Sequence, residues 1–178
     1  MLTRYGIFDE MKAKKGIIVL RVVSVVLLLI TAATIFVFSS QNVKKSVKTS
    51  RAVTEKICEN VVSDYAVKDS GEQKKIVKSN DNSVRKAAHM ALFFAFGAFA
   101  FLSIISYRNI KLYIRIGLSF LVSVLYAASD EIHQIFVAGR GPQITDVLVD
   151  ISGAAAAIIL LCIVFRLMKV RKPAGMED

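Results

Sequence analysis

Four apolar blocks, each long enough to cross a lipid bilayer, decide what this chain can become. The first runs from about Ile17 to Phe38, the second from about Ala87 to Ile105, the third from about Leu112 to Ala128 and the fourth from about Ile144 to Met168. A soluble core would show amphipathic stripes, whereas these are continuous runs. Hydrophobic residues make up 54% of the 178, and the mean hydropathy is +0.53. In lipid every backbone amide needs an internal partner, which a helix supplies. The expected fold class is therefore all-α: an integral membrane bundle of four transmembrane helices with a polar 42–86 loop.

Three features refine this outline. Arg21 interrupts the first block only at its basic edge, where its side chain can reach the headgroups. That block is longer than the apolar core of a signal peptide and ends in Phe38-Ser39-Ser40-Gln41, which is no small-x-small cleavage site, so an uncleaved helix is expected. The run Gly153-Ala154-Ala155-Ala156-Ala157 gives the fourth block a smooth surface for close helix packing.

Between the first two spans, residues 42–86 are too polar to insert. Val53, Ile57, Val61 and Tyr65 recur there at helical spacing, predicting an amphipathic helix from about Val53 to Tyr65. A short turn at Tyr107-Arg108-Asn109 makes spans two and three antiparallel neighbours.

Four spans place both termini on one side, and the flanking charges choose which. Arg4, Lys12, Lys14, Lys15 and Arg21 share a side with Arg108, Lys111 and Arg115 and with Arg166, Lys169, Arg171 and Lys172. The opposite 129–143 connection holds only Arg140, which favours cytoplasmic termini. The Lys-rich 42–86 segment opposes this count, but it also carries six acidic residues, and the rule weakens in long loops. The division expected is a cytoplasmic segment 1–16, a membrane domain 17–168 and a cytoplasmic tail 169–178.

The formal charge of +10 and pI of about 9.8 call for an anionic neighbour, and with these spans lipid headgroups come first. No nucleic-acid partner is expected, since no zinc-knuckle, RNA-binding aromatic or phosphate-loop pattern is present. Cys58 lies in a polar stretch and Cys162 in an apolar one, so a disulfide between them is not expected.

The polar motifs converge on one membrane face by topology alone. They are Ser39-Ser40-Gln41 leaving span one, Arg85-Lys86-x-x-His89 entering span two, Ser129-Asp130-Glu131-x-His133-Gln134 leaving span three, and Arg140 to Asp150 entering span four. Arg85 and His89 are four apart, as are Asp146 and Asp150, while Asp130 precedes His133 by three and Gln134 by four; each set shares a helical face. Ionisable groups a turn into the bilayer are costly unless they face the bundle interior and pair. Plainer readings exist for each residue taken alone. Arg85, Lys86 and Arg140 can serve as interfacial anchors, either histidine can be a structural hydrogen-bonding group, and Asp146 and Asp150 can satisfy an arginine in a buried ion pair. The cluster of Phe93, Phe94, Phe96, Phe99 and Phe101 reads as lipid-facing or packing surface.

At these residues the sequence resembles the VanZ-like family. The resemblance rests on Phe38-Ser39-Ser40-Gln41, on Arg85-Lys86-x-x-His89, and above all on Asp130-Glu131-x-His133-Gln134-x-Phe136-x-x-Gly139-Arg140 followed by Asp146-Val147-x-x-Asp150-x-x-Gly153. It extends from about residue 17 to 168, with Asp150 standing where many members have Asn. It implies a multi-pass protein of the bacterial cell membrane, in a family named for a member associated with resistance to the glycopeptide teicoplanin.

The leading expectation is a protein that acts on or binds an anionic, lipid-linked or peptidoglycan-related envelope component at the outer leaflet. Candidate catalytic residues are His89, Asp130, Glu131, His133, Asp146 and Asp150, and candidate substrate or anion ligands are Ser40, Gln41, Arg85, Gln134 and Arg140. Histidine with carboxylate forms an acid/base pair, and arginine captures phosphate or carboxylate bidentately. No cofactor is called for; histidines and carboxylates together also offer ligands for a divalent metal, though no tight motif such as H-E-x-x-H occurs. A non-catalytic module binding antibiotic, lipid or a partner membrane protein is the second expectation, and a proton-coupled transporter the third.

Overall fold

A computed structural model describes residues 4–107 and 110–170, with side chains described for 15–107 and 110–168. Of the charges used to orient the chain, Arg4, Lys12, Lys14, Arg108, Lys169, Arg171 and Lys172 lie outside these side chains. Five helices are present among the described residues: α1 (Arg4–Ser39), α2 (Val43–Val61), α3 (Ser70–Ile105), α4 (Leu112–Ile135) and α5 (Ile144–Val170). Four of them, all but α2, are long and apolar enough to cross a membrane, as the sequence requires of a multi-pass bundle. Their outer surfaces carry exposed Val19, Leu29, Leu125, Ile159 and Leu167. Water would not tolerate so continuous an apolar coat, and lipid solvates it.

The polar 42–86 segment is mostly helical. Asn42 caps α2 by accepting the Lys45 N–H at 2.9 Å, and Asp69 caps α3 by accepting from Gly71 and Glu72. Thus α2 begins ten residues before the apolar spacing suggested, and α3 begins at Ser70 and not at 87. Residue 87 marks where the composition turns apolar, not where the helix starts. α2 and the first half of α3 form a hairpin around Cys58, Tyr65 and Val77. The stripe of Val53, Ile57 and Val61 faces outward, and Thr54 and Cys58 face α3 instead. Small and hydroxyl side chains win the inner face because they permit close approach and satisfy themselves locally. Thr54 donates to the Ser50 carbonyl at 2.9 Å, and Ser50 donates to Asp81 of α3. Both cysteines are free.

α3 is the central helix, packing on α5, α1 and α4. Ile35, Phe93, Phe96 and Ala127 form the core, where Tyr126 stacks on Phe96 with ring centroids 4.6 Å apart and donates to the Ala32 carbonyl at 2.7 Å. Of the phenylalanines read as lipid-facing or packing residues, Phe93, Phe96 and Phe101 are buried and Phe94 is exposed. At Gly97 and Gly153 the α3 and α5 backbones approach so closely that no side chain fits between them, and there the smooth Gly-Ala surface of α5 does its packing. At the other membrane face Arg21 is more than a snorkelling group. Its Nε donates to Ser106 Oγ at 3.0 Å, and its guanidinium lies 3.8 Å from the Tyr107 ring centroid.

This threading makes a topology prediction. In a variant lacking Cys58 and Cys162, single cysteines at Lys44, Lys86 and Gly141 should react with an impermeant maleimide from one compartment, and cysteines at Lys15 and Tyr107 from the other. Labelling of the first three from different sides would contradict the arrangement.

Candidate functional site

α4 runs to Ile135, about two turns beyond the expected end of span three, so Asp130 and Gln134 occupy the inner face of its last turns, both buried. Buried Ser39, at the end of α1, donates to Asp130 Oδ2 at 2.8 Å, and Gln134 Nε2 donates to the same oxygen at 3.0 Å. The chain then turns through Gly139, whose φ of +81° suits a residue without Cβ. That turn brings Arg140 back so that its Nη1 donates to Gln134 Oε1 and its Nη2 to Ser46 Oγ of α2, each at 3.0 Å. Ser39, Asp130, Gln134, Arg140 and Ser46 thus form one hydrogen-bonded chain through α1, α4, the turn and α2. Hydrogen bonds that involve a charged group are the stronger kind, so this chain holds the guanidinium in one place.

Arg140 borders a cavity of about 240 Å³ between α3, α4 and α5. Arg85, Lys86 and His89 of α3 line it from one side, and Asp146, Val149 and Asp150 of α5 from the other. Lys86 and Asp146 pair at 2.9 Å. Deeper in, His89 Nδ1 lies 3.9 Å from Asp150 Oδ1, too far for a hydrogen bond. The Arg85 side chain bonds, among the described residues, only that of Asn82, at 3.0 Å. Among the described residues neither Arg85 nor Arg140 pairs with a carboxylate. Burial first, and the neighbouring Arg85 second, push Arg140 below its ordinary range; a guanidinium remains a cation at neutral pH nonetheless. An anion placed between two guanidinium groups that repel one another can satisfy both, and that is the chemistry this arrangement offers.

The candidate residues divide by helical face. His89, Arg85, Gln134, Arg140, Asp146 and Asp150 line the cavity, and Asp130 stands directly behind it. His133 turns toward α1, where its Nε2 is 3.0 Å from Ser40 Oγ and its ring packs 4.6 Å from that of Phe36. Glu131 accepts the Gln143 N–H, satisfying one of the free amides that open α5. Gln41 lies outside the cavity lining. His133, Glu131 and Ser40 therefore fasten helix ends together without reaching the cavity, which leaves His89 as its only histidine among the described residues.

Sequence reasoning missed Ser46, Val43, Gln143 and Val149 as parts of this region. Val43 and Ser46 belong to the segment expected to be loop, and only the direction in which α2 packs brings them to Arg140. Asn42, a residue type that favours the N-cap, was the weak signal for the start of that helix.

The chain matches no curated protein and no solved structure. The family model described as VanZ/LLP1 matches residues 24–166, a stretch that contains α1 from Ser24, the whole of α2, α3 and α4, and α5 as far as Arg166. With that match covering most of the chain, the protein belongs to the VanZ/LLP1 family.

Proposed function

We propose that this is a bacterial plasma-membrane protein with cytoplasmic termini that binds, and acts on, an anionic lipid-linked or peptidoglycan-related envelope component at the outer leaflet, and that it contributes in this way to glycopeptide tolerance. The observation that carries the reading is the pair of guanidinium groups, Arg85 and Arg140, facing a cavity without carboxylate partners. Family membership supports the membrane setting and the link to glycopeptides.

In this reading Arg85 and Arg140 clamp the phosphate or carboxylate of the substrate, and Lys86 with Asp146 frames the entrance. His89 and Asp150 stand together deeper in the cavity, where imidazole and carboxylate can exchange a proton with the bound group. Asp130, Gln134 and Ser46 act through Arg140, and His133, Glu131 and Ser40 act through the helix ends they join.

Each charge-assisted bond from an arginine is worth about 1.5–3 kcal/mol, so Arg140→Gln should weaken capture of the anion roughly 10- to 100-fold. The check is a deletion strain complemented with wild type, Arg85→Gln, Arg140→Gln or His89→Ala at matched protein levels, followed by envelope-lipid and peptidoglycan profiling and teicoplanin susceptibility. Both arginine variants should reproduce the deletion profile. Full complementation by Arg140→Gln and Arg85→Gln would remove the reading. Loss in the arginine variants with retention in His89→Ala would select binding without chemistry.

A further inference from the structure

Below the arginine pair the cavity ends at His89 of α3 and Asp150 of α5, with Asp130 of α4 directly behind them, so that three helices contribute to one cluster. One imidazole nitrogen and one oxygen from each carboxylate all lie within 4.8 Å of one another. Both aspartates are deeply buried, Asp150 at 4% and Asp130 at 5% relative exposure. Asp150 Oδ1 is the oxygen that approaches His89, and it receives no hydrogen bond. A buried carboxylate oxygen without a donor is costly, and more so beside a second carboxylate.

A direct hydrogen bond does not account for these groups. Imidazole and carboxylate joined by a proton sit about 2.7–3.2 Å apart, whereas His89 Nδ1 and Asp150 Oδ1 are 3.9 Å apart. A separation of 3.9 Å for that pair, with all three groups within 4.8 Å of one another, suits atoms that meet through a third atom. Ligands held at about 2.0–2.2 Å around a tetrahedral ion lie roughly 3.4 Å from each other, so side-chain rotations alone would close the site. Asp130 is already oriented for such a role, since Ser39 and Gln134 fix its Oδ2 in the way that outer partners hold metal-ligating carboxylates.

We infer that His89, Asp130 and Asp150 bind one divalent transition-metal cation at the floor of the cavity. One nitrogen and two oxygens without thiolate suit Zn²⁺ or Mn²⁺ better than Ca²⁺ or Mg²⁺, which favour all-oxygen shells. Three protein ligands leave a coordination position open toward the cavity, where Arg85 and Arg140 already attract anions. The cation also neutralises two carboxylates held at a depth where lipid gives them no solvation. With the cation bound, His89 and Asp150 serve as its ligands in place of the proton exchange described above, and binding of metal is independent of which envelope component the arginines capture.

The test uses the full chain in detergent micelles, stripped with chelator and dialysed to equilibrium against Zn²⁺, Mn²⁺, Ca²⁺ or Mg²⁺, with bound metal counted by elemental analysis. Wild type and a Cys58→Ser/Cys162→Ala variant should each retain about one Zn²⁺ or Mn²⁺ per chain. Asp150→Asn and His89→Gln should lose at least tenfold in affinity while keeping the wild-type circular dichroism. Co²⁺ added to the wild type should give ligand-field bands without a thiolate charge-transfer band, a readout that needs no variant to fold. The inference is overturned if wild type holds no transition metal in stoichiometric amount, if the near-isosteric variants bind as tightly as wild type, or if only Ca²⁺ or Mg²⁺ is retained.

Discussion

Gly153→Ala should leave little folded protein in the membrane. A Cβ built at Gly153 falls 2.3 Å from the Met90 carbonyl oxygen and 3.1 Å from its carbonyl carbon, and these are backbone atoms of a packed helix that cannot swing aside. Gly97 repeats the situation from the other helix, with the Ala154 Cα 2.7 Å from the added atom. Relief requires α3 and α5 to separate along their whole contact, which includes the walls of the cavity. Overpacking of this kind costs typically 1–3 kcal/mol, and the backbone clash places Gly153→Ala at or beyond the upper end of that range. Gly117→Ala is the internal control, because nothing lies within 4 Å of its added Cβ, and in a helix interior alanine is favoured over glycine by about 0.5–1 kcal/mol. Thermal unfolding in micelles, read by circular dichroism, should therefore order the proteins as Gly117→Ala at or above wild type, wild type, then Gly97→Ala and Gly153→Ala well below. Identical melting of wild type and Gly153→Ala would show that the helices are not this close.

The second large effect falls on Asp130. Replacing it with alanine removes the acceptor of both Ser39 and Gln134 and leaves two buried donors without partners, at about 1–3 kcal/mol each. Gln134 then no longer holds Arg140, so capture of the anion should fall together with stability. Asp130→Asn separates the two consequences. Its amide oxygen can still accept from Ser39 and Gln134, so the fold should melt within about 1 kcal/mol of wild type, while the missing charge abolishes what depends on the carboxylate. Measuring unfolding and complementation side by side for both variants checks this. If Asp130→Ala melted like wild type, the chain from Ser39 to Ser46 would have no structural role.

The four spans were legible because hydropathy is a sum over some twenty residues and survives single exceptions such as Arg21. Helix ends were less so. Asp130 and Gln134 made span three look finished, yet they are helical residues whose polarity serves the bundle interior, and the continuous helix through residues 70–105 was hidden by a change of solvent midway along it. Within the site, i and i+4 spacing correctly joined Arg85 to His89 and Asp146 to Asp150, since each pair lines the same cavity. The i and i+3 spacing likewise joined His133 to Asp130, but nothing in spacing shows that α1 stands on that side of α4. Successive residues turn by about 100°, so Glu131 and His133 lie to opposite sides of the direction shared by Asp130 and Gln134, each roughly 80° from it. Ser46 was beyond reach because its role depends on where α2 lies, and the apolar stripe of α2 pointed to the wrong face for packing.

α3 has no joint between its watery and its lipid-embedded halves. Ser70 and His89 are about 28 Å apart on one rod, given a rise of 1.5 Å per residue. A force that tilts the hairpin is therefore delivered as a displacement of His89 and Arg85 against α5, with the close contacts at Gly97 and Gly153 as the fulcrum. Whatever leans on the polar hairpin moves the arm that carries Arg85 and His89, close to its pivot, so a wide swing at Ser70 reaches the cavity as a small one.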